Sequence, residues 1–266
     1  MTDLQTLALR VDADGVAWLT LNRPSRKNAM SAAMMDELRA FAEAAGGRED
    51  IRVVVLSGAE GTFCAGADLR WMQAQIDADR AGRMAEARRL ALMLRALNDM
   101  PVPLIGRVEG VAMGGGMGLI SVCDVAITAE DCRFGFTETR LGIIPATISP
   151  YVVARIGEAA ARVLFMNARL FRGEEAHRLG LVARSVAAVD LDSAVEAEVA
   201  PFLALPKGAV GRAKSLARSL GARIDEHVIN ATIEQLADAW ETDDAREGIA
   251  AFLEKRKPRW LAEKEE

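Results

Sequence analysis

The chain has 266 residues, of which 51% are hydrophobic and 27% charged, and its formal net charge is −5. This composition is typical of a globular protein with a sizeable core, and no segment is dense enough in lysine and arginine to bind nucleic acid. Three cysteines without CxxC spacing favour a reducing compartment, and two histidines are too few for a histidine-rich metal site. Without a long apolar segment or a recognisable signal peptide, we expect a cytoplasmic protein that has no nucleic-acid or membrane partner.

The N-terminal part of the chain alternates predicted strands and helices. Apolar alternation on both sides of a turn at 12–15 predicts a β-hairpin over residues 4–21. Ser31 is the expected N-cap of a helix that ends near residues 46–47, and a Val-rich strand follows at 51–57. Asp68 is expected to begin the next helix, because a carboxylate stabilises a helix N-terminus. A long amphipathic helix is predicted over 80–99 and a strand over 104–108.

Residues 111–119 contain four glycines in five positions, between a strand-like and a helix-like apolar run. Because glycine costs stability inside regular elements, either backbones pack closely there or a ligand approaches exposed N–H groups. The run fits neither the Walker A nor the G-x-G-x-x-G pattern. A second strand-to-helix junction lies at 63–69, and two such junctions can direct two amides at one point. That is the requirement of an oxyanion hole, so we favour the ligand interpretation.

The C-terminal part is predicted to be mostly helical. A strand at 124–128 and an extended piece at 133–136 come first. Strand–helix repetition followed by helices indicates an α/β core with a helical C-terminal part. Helices are expected at 149–156, 158–166, 174–179, 193–204, 207–219, 223–240 and 243–255.

Glu138 is an acid in a largely apolar stretch at 134–145. It has two interpretations: an ion pair with Arg140 or a nearby base, or a general acid/base whose pKa is raised by burial. Cys64, beside the first junction, is expected to be a small buried apolar residue, since nothing nearby in the sequence activates a thiolate.

Taken together, these segments resemble the enoyl-CoA hydratase/isomerase (crotonase) superfamily. The resemblance implies an α/β fold, the ClpP-like crotonase spiral of ββα units with a C-terminal helical trimerisation region. We assign 1–200 to the spiral core and 201–266 to the oligomerisation region, and expect a homotrimer or a dimer of trimers. The motifs that carry the resemblance are Asn22-Arg23-Pro24 with Asn28-Ala29, Ala65-Gly66-Ala67-Asp68-Leu69, Gly114-Gly115-Gly116, Cys123-Asp124, Gly142-Ile143-Ile144-Pro145, Ala176 with Gly180-Leu181-Val182, and 247–256.

The resemblance also implies a set of site residues around an acyl-CoA thioester. The amides of Ala67 and Gly115 match the oxyanion-hole donors, and Glu138 matches one of two catalytic glutamates. Gly118 stands where the other glutamate is found in typical hydratases, so a two-carboxylate water clamp is not expected. No metal or redox cofactor is implied, since coenzyme A is part of the substrate. Residues matching coenzyme A or substrate contacts are Arg26, Ala29, Ala65, Gly66, Asp68, Leu69 and Gly114, together with Phe252 and Lys255, which match positions that reach a neighbouring subunit's coenzyme A.

The favoured hypothesis is hydration of an α,β-unsaturated acyl-CoA. The segment 137–152, with Gly118, is similar to a bacterial branch that contains methylglutaconyl-CoA hydratases, so 3-methylglutaconyl-CoA is the favoured substrate. A Δ3,Δ2-enoyl-CoA isomerase and an acyl-CoA decarboxylase on the same fold are the alternatives, because one glutamate can also shuttle a proton between carbons. A non-catalytic protein that binds CoA esters or RNA is disfavoured, since the early helices are not lysine-rich.

Overall fold

A computed structural model describes residues 4–261. Within this range the strands form one six-stranded and one three-stranded sheet. The strands are β1 (Leu7–Val11), β2 (Val16–Leu21), β3 (Val53–Gly58), β4 (Leu104–Val108), β5 (Val111–Met113), β6 (Val125–Ala129), β7 (Arg133–Gly135), β8 (Phe171–Arg172) and β9 (Arg184–Val186).

Helices account for most of the remaining described residues, and their number increases toward the C-terminus. The α-helices are α1 (Ala32–Ala45), α2 (Leu69–Asp77), α3 (Arg80–Asp99), α4 (Gly115–Val122), α5 (Ser149–Asn167), α6 (Gly173–Arg178), α7 (Leu191–Leu203), α8 (Lys207–Ser219), α9 (Glu226–Trp240) and α10 (Asp243–Leu253).

The larger sheet has the strand order β1-β2-β3-β4-β6-β9. Only the β1–β2 pair, the predicted hairpin, is antiparallel; the other pairs are parallel. Strand β3 is buried on both faces, because successive side chains point to opposite sides. Val54 and Leu56 belong to the main core, which includes α1 and α3 side chains, whereas Val53 and Val55 pack in a second cluster with α7. The α/β architecture expected from the sequence is therefore confirmed.

The smaller sheet lies where the glycine run begins. Strand β5 pairs parallel with β7, and β7 pairs antiparallel with β8. Isolated parallel bridges join Cys64 to Ala112 and Met30 to Ala67. These contacts hold three loops side by side, each followed by a helix: 22–30, 63–68 and 111–114.

The helical C-terminal part packs back onto the core. Helix α9 contacts α3 through Ile229 and Ile233, which pack against Ala87 and Ala91. The predicted helices at 149–156 and 158–166 form the single element α5, interrupted at Gly157, which has a φ of 76°. The division of the chain at residue 200 stays a prediction. Over the described residues, none of the helices combines the length and the apolar character needed to cross a membrane.

Candidate active site

A cavity of about 760 Å³ lies among the two strand-to-helix junctions, the turn at 138–148 and helices α9 and α10. Most of the predicted site residues line it, but Gly118 and Lys255 do not. Lys255 follows α10 in a left-handed conformation, with a φ of 56°. The predicted residues that line the cavity are Arg26, Ala29, Ala65, Gly66, Ala67, Asp68, Leu69, Gly114, Gly115, Glu138 and Phe252.

The amides of Ala67 and Gly115 are free for a ligand. The neighbours of Ala67 are both engaged, since the carbonyl of Gly66 accepts from Met30 and the amide of Asp68 donates to the Met30 carbonyl. The N–H of Ala67 therefore points away from this bridge, because successive strand groups alternate in direction. Gly115 is the first residue of α4, and first-turn amides have no partner within their helix. Neither amide has a hydrogen-bond acceptor in the described part of the chain.

Asp68 fixes the first junction. Its carboxylate caps α2 by accepting from the amides of Arg70 and Trp71, and it forms a 2.8 Å ion pair with Arg23. Burial by itself would raise the pKa of Asp68, but hydrogen bonds from Arg23 and the two amides outweigh it and hold the pKa below its ordinary value. Arg23 also donates to the carbonyl of Ala29. The side chain of Asp68 thus fixes the loop that carries the Ala67 amide.

Side chains are excluded at the four glycines of the run for two different reasons, contact with the cavity and close packing of the backbone. Gly114 lines the cavity in a backbone conformation that L side chains rarely adopt, with a φ of 48°. Gly115 also lines the cavity, and a Cβ there would overlap the Met30 Cε methyl. A Cβ on Gly116 would lie 2.8 Å from the carbonyl oxygen of Cys64. The ligand interpretation of the glycine run therefore does not extend to Gly116. A glycine is needed at this position because α4 packs closely on the 63–68 loop.

Close packing also explains why position 118 is a glycine. A Cβ at this position would lie 2.6 Å from Cγ2 of Ile148 and 3.4 Å from Cδ1 of Leu94. The space in which a residue-118 side chain would project is therefore filled by Ile148, which is itself buried. The second acid is not merely missing, because another side chain occupies its place.

Glu138 begins a short 3₁₀ turn, Glu138–Leu141, that faces the start of α4. Its Oε1 lies 3.2 Å from where a Cβ on Gly114 would be, and its Oε2 is buried with no hydrogen-bond partner in the described residues. The ion pair considered with Arg140 does not form there. Burial raises the pKa of Glu138 from 4.5 to about 7. A carboxyl with this pKa can both accept and donate a proton near neutral pH.

The turn that carries Glu138 packs tightly on helix α10. A Cβ on Gly248 would lie 2.5 Å from the backbone of Leu141, and one on Gly142 would overlap the backbone of Asp244. Ile143 and Trp240 complete this contact in a small apolar cluster. The C-terminal helices therefore set the position of the turn as well as lining the cavity.

Charged side chains are confined to the rim of the cavity, apart from Asp68 and Glu138. The cationic residues that line it are exposed: Arg26, Lys27, Arg70 and Arg140. Phe252 lies at the rim with 49% of its surface exposed and Leu69 with 52%. The interior is apolar, formed by residues such as Met30, Met35, Met72, Leu90, Ile148 and Leu236. Within residues 4–261, no group of three or more metal-ligating side chains has the geometry to hold a metal ion.

Cys64 lies beneath the site and takes no part in it. It is fully buried, and burial raises the pKa of its thiol to about 11. The expectation of an unreactive core cysteine is thus confirmed.

Sequence reasoning missed two residues at this site. Thr147 lines the cavity with a buried hydroxyl that has no hydrogen-bond partner, and Ile148 fills the space beside Gly118. Both lie in the 137–152 segment, whose resemblance to a bacterial branch was the available signal.

The whole chain is similar to proteins of known family. A family model described as enoyl-CoA hydratase/isomerase matches residues 12–263. The mitochondrial methylglutaconyl-CoA hydratase of Rattus norvegicus is 31% identical, with 98% of this chain and 84% of that protein covered. Among solved structures, Pseudomonas aeruginosa AtuE is 40% identical with a TM-score of 0.78, covering 96% of this chain and 99% of that one. An enoyl-CoA hydratase from Shewanella pealeana is 34% identical with a TM-score of 0.79, covering 97% and 96%. The chain therefore belongs to the enoyl-CoA hydratase/isomerase family.

Proposed function

We propose that this protein hydrates an α,β-unsaturated acyl-CoA thioester, with Glu138 as its single acid/base. The observation that carries the proposal is the position of Glu138. Its carboxyl lies in an apolar cavity beside Gly114, next to the free amide of Gly115, and burial raises its pKa to about 7. Relatives named as enoyl-CoA hydratases support the reaction class.

In this mechanism the thioester oxygen accepts hydrogen bonds from the amides of Ala67 and Gly115. Glu138 takes a proton from water as the water oxygen forms a bond to C3. The electrons of the C2=C3 double bond move onto the thioester, and the two amides stabilise the resulting enolate oxygen. Glu138 then returns its proton to C2, so the enzyme ends as it began. Every group used belongs to the chain, and the proposal includes no metal or redox cofactor.

Charge at the rim supports a CoA ester as the ligand. Arg26 and Lys27 lie exposed on the loop that joins β2 to α1, where they can contact phosphate groups. The apolar interior suits the acyl chain and shields the reacting thioester from bulk water.

Our favoured acyl group is 3-methylglutaconyl, which bears a distal carboxylate. Methylglutaconyl-CoA hydratases of three mammals are among the relatives, at 31% identity. Arg70 and Arg140 line the cavity, and within the described residues neither guanidinium has an ion-pair partner. Two such cations are suitable partners for a carboxylate at the end of the acyl group.

The experiment is an activity screen of the full chain and its Glu138→Gln variant. The substrates are crotonyl-CoA, 3-methylcrotonyl-CoA and 3-methylglutaconyl-CoA. The wild type is expected to hydrate 3-methylglutaconyl-CoA with the highest kcat/KM. The variant is expected to lose at least about a thousandfold in kcat while binding the CoA ester nearly as well, because the amide keeps the shape but accepts no proton. Near-normal turnover by Glu138→Gln would reject the assignment.

Double-bond isomerisation is the second candidate. It is favoured by the packing of Ile148 against Gly118, which leaves Glu138 as the one acid at this end of the cavity among residues 4–261. Incubating the enzyme separately with a 2-enoyl-CoA and with a 3-enoyl-CoA in ¹⁸O-labelled water separates the two reactions. Hydration incorporates the label at C3, whereas a rearranged double bond without label would establish isomerisation.

A further inference from the structure

A stripe of side chains on α3 contacts one wall of the cavity. Arg83, Glu86 and Leu90 are three and four residues apart, so they project from the same face of the helix. Leu90 lines the cavity itself. Glu86 accepts a hydrogen bond from the indole of Trp71, and the Arg83 guanidinium lies 5.7 Å from the ring centre of Trp240. Both indoles line the cavity, so each of them contacts α3 as well as the ligand space.

The indole of Trp71 is held by a carboxylate that is itself held. Its Nε1 donates to Oε2 of Glu86 at 2.7 Å. The other oxygen of that carboxylate, Oε1, accepts from Arg89 at 3.2 Å, and Arg89 in turn forms an ion pair with Asp36 of α1. Because each oxygen of Glu86 has its own partner, the carboxylate keeps one orientation and fixes the edge of the ring that donates to it.

The main chain of α2, which carries this tryptophan, is fixed near both of its ends. At the N-terminus, Asp68 accepts from the backbone amide of Trp71 at 3.3 Å. Near the C-terminus, Arg83 donates to the carbonyl of Gln75 at 2.8 Å. The freedom that remains at position 71 is rotation of the side chain, and the hydrogen bond to Glu86 selects one of its rotamers.

The wall that includes this indole is apolar. Its side chains come from α2, α3 and α9: Trp71, Met72, Leu90, Leu236 and Trp240. Acyl carbons of a CoA ester gain free energy by leaving water for such a surface, whereas the phosphates suit the exposed cations of the 22–30 loop. An indole is the largest natural side chain, so its orientation determines how much of the cavity is open to an acyl group.

We propose that Trp71 is a specificity-determining residue of the acyl pocket and that Glu86 is the residue that positions it. The inference rests on the proposed function, in which the ligand is an acyl-CoA. Glu86 is not part of the cavity lining, so its hydrogen bond draws the Nε1 edge of the ring out of the pocket and against α3. The space beside the ring is thereby kept open for the acyl chain. Without the hydrogen bond, the ring is free to rotate into that space.

The test compares a long and a short acyl group on the full-length protein. The ratio of kcat/KM for trans-2-decenoyl-CoA to that for crotonyl-CoA is independent of the coenzyme A contacts, which both substrates share, and of the fraction of active enzyme. Glu86→Ala is expected to lower this ratio at least about fivefold, because the freed ring competes with the longer chain. Trp71→Leu is expected to raise it at least about fivefold. Once the ring is gone, adding Glu86→Ala should change the ratio less than about twofold.

Two further variants separate positioning from a general effect on the fold. Glu86→Gln keeps an oxygen that accepts from the indole, so its ratio is expected to stay within about twofold of the wild type. The matched control is a second indole–carboxylate pair, in which Nε1 of Trp18 donates to Oδ2 of Asp12 at 2.9 Å. Neither of these two residues lines the cavity, so Asp12→Ala is expected to leave the ratio unchanged.

The outcomes separate the inference from the function on which it rests. An unchanged ratio in Glu86→Ala and Trp71→Leu overturns the inference. An equal fall in kcat/KM for both substrates also overturns it, since Trp71 would then act on the coenzyme A part or on the fold. If Trp71→Leu does not fold, the contrast between Glu86→Ala and Glu86→Gln decides.

The same comparison can be made without turnover. Titration calorimetry gives Kd for the unreactive esters butyryl-CoA and decanoyl-CoA, and the ratio of the two constants should respond to the Glu86 and Trp71 variants as the kinetic ratio does. Such a response supports the role of Trp71 even if Glu138→Gln keeps its activity and the hydration proposal fails. A Kd ratio that no variant changes overturns the inference and leaves the hydration proposal standing.

Discussion

At the scale of single residues, the site depends on a carboxyl kept without a counter-charge. Asp68, the other acid that lines the cavity in the described residues, forms an ion pair with Arg23. Glu138 has no such partner in the described residues, so burial is the dominant influence on its pKa. Desolvation disfavours the charged carboxylate and makes it a stronger base than an exposed glutamate.

The rate of hydration is expected to depend on pH through Glu138. Because its pKa is raised to about 7, the carboxyl is protonated below pH 7 and has no capacity to take the proton of water. Hydration should therefore be slower by about tenfold for each unit below pH 6 and reach a plateau above pH 8. The reverse dehydration begins with the same carboxylate, which removes the proton from C2, so it should show the same dependence on pH. A flat kcat/KM profile between pH 5.5 and 8.5 would mean that another group is the base.

Residue-level predictions from sequence succeeded where the residue type restricts the role. Ser31 was expected to cap a helix and Asp68 to begin one, and each side chain accepts from backbone amides in the first turn of the helix that follows. Cys64 was expected to be buried and is. The position of Ile148 beside Gly118 could not be foreseen, because isoleucine is common and its significance comes from this tertiary contact. That contact depends on the packing of the chain around it.

At the scale of elements, helix α10 and the Glu138 turn form one unit. The contact has almost no side chain between the two backbones, since glycines 142 and 248 face the opposing main chain directly. Such a contact tolerates little change, because any added atom must push the elements apart.

Gly248→Ala should separate α10 from the turn. The new Cβ would lie 2.5 Å from the backbone of Leu141, so we expect stability to fall by about 1–3 kcal/mol and kcat to fall several-fold as Glu138 shifts. Gly208→Ala on α8 is the matched control, since its Cβ would come no closer than 3.5 Å to any neighbour, at the Arg212 side chain. Melting curves and hydration rates compare the two. Equal behaviour of both variants would contradict this role of the contact.

Long elements were predictable, whereas strands β8 and β9 were not. Helices over 32–45 and 80–99 were expected from their periodicity and caps. Strands β8 and β9 have two and three residues, too few to show alternation. They form by hydrogen bonding to the edges of β7 and β6, respectively. Gly157 interrupts the periodicity of α5, so the sequence predicts two helices where the structure has one interrupted element.

At the scale of the whole molecule, the chain leaves large apolar side chains uncovered. Met166 is 70% exposed and Val163 49% on α5, and Leu216 on α8 and Leu220 directly after it are 62% and 81% exposed. Apolar side chains grouped in this way mark surfaces that other protein molecules cover.

We expect the protein to assemble as a homotrimer or a dimer of trimers. Light scattering should give a mass three or six times the 28.6 kDa of one chain, unchanged on tenfold dilution from micromolar concentrations. Such an assembly would bury exposed apolar side chains of this kind at its subunit contacts. A mass of one chain at those concentrations would contradict the expectation.

The arrangement of the whole molecule was only partly accessible from the sequence. Periodicity alone gave an α/β core followed by helices, which the structure bears out. The strand order β1-β2-β3-β4-β6-β9 depends on which strands pair across long connections, and no local pattern encodes it. The specific fold was therefore reached through resemblance in motifs such as 65–69 and 114–116.

The packing of Ile148 on Gly118 also bears on how this site can change through descent. A single Gly118→Glu change would force a charged side chain into the space held by Ile148 and Leu94. Shrinking Ile148 first would leave a void in the core, at a cost of about 1–3 kcal/mol. Each single step is unfavourable, so only a paired change leads to a two-carboxylate site. The packing around Gly118 thus protects the one-glutamate arrangement against conversion by any single substitution.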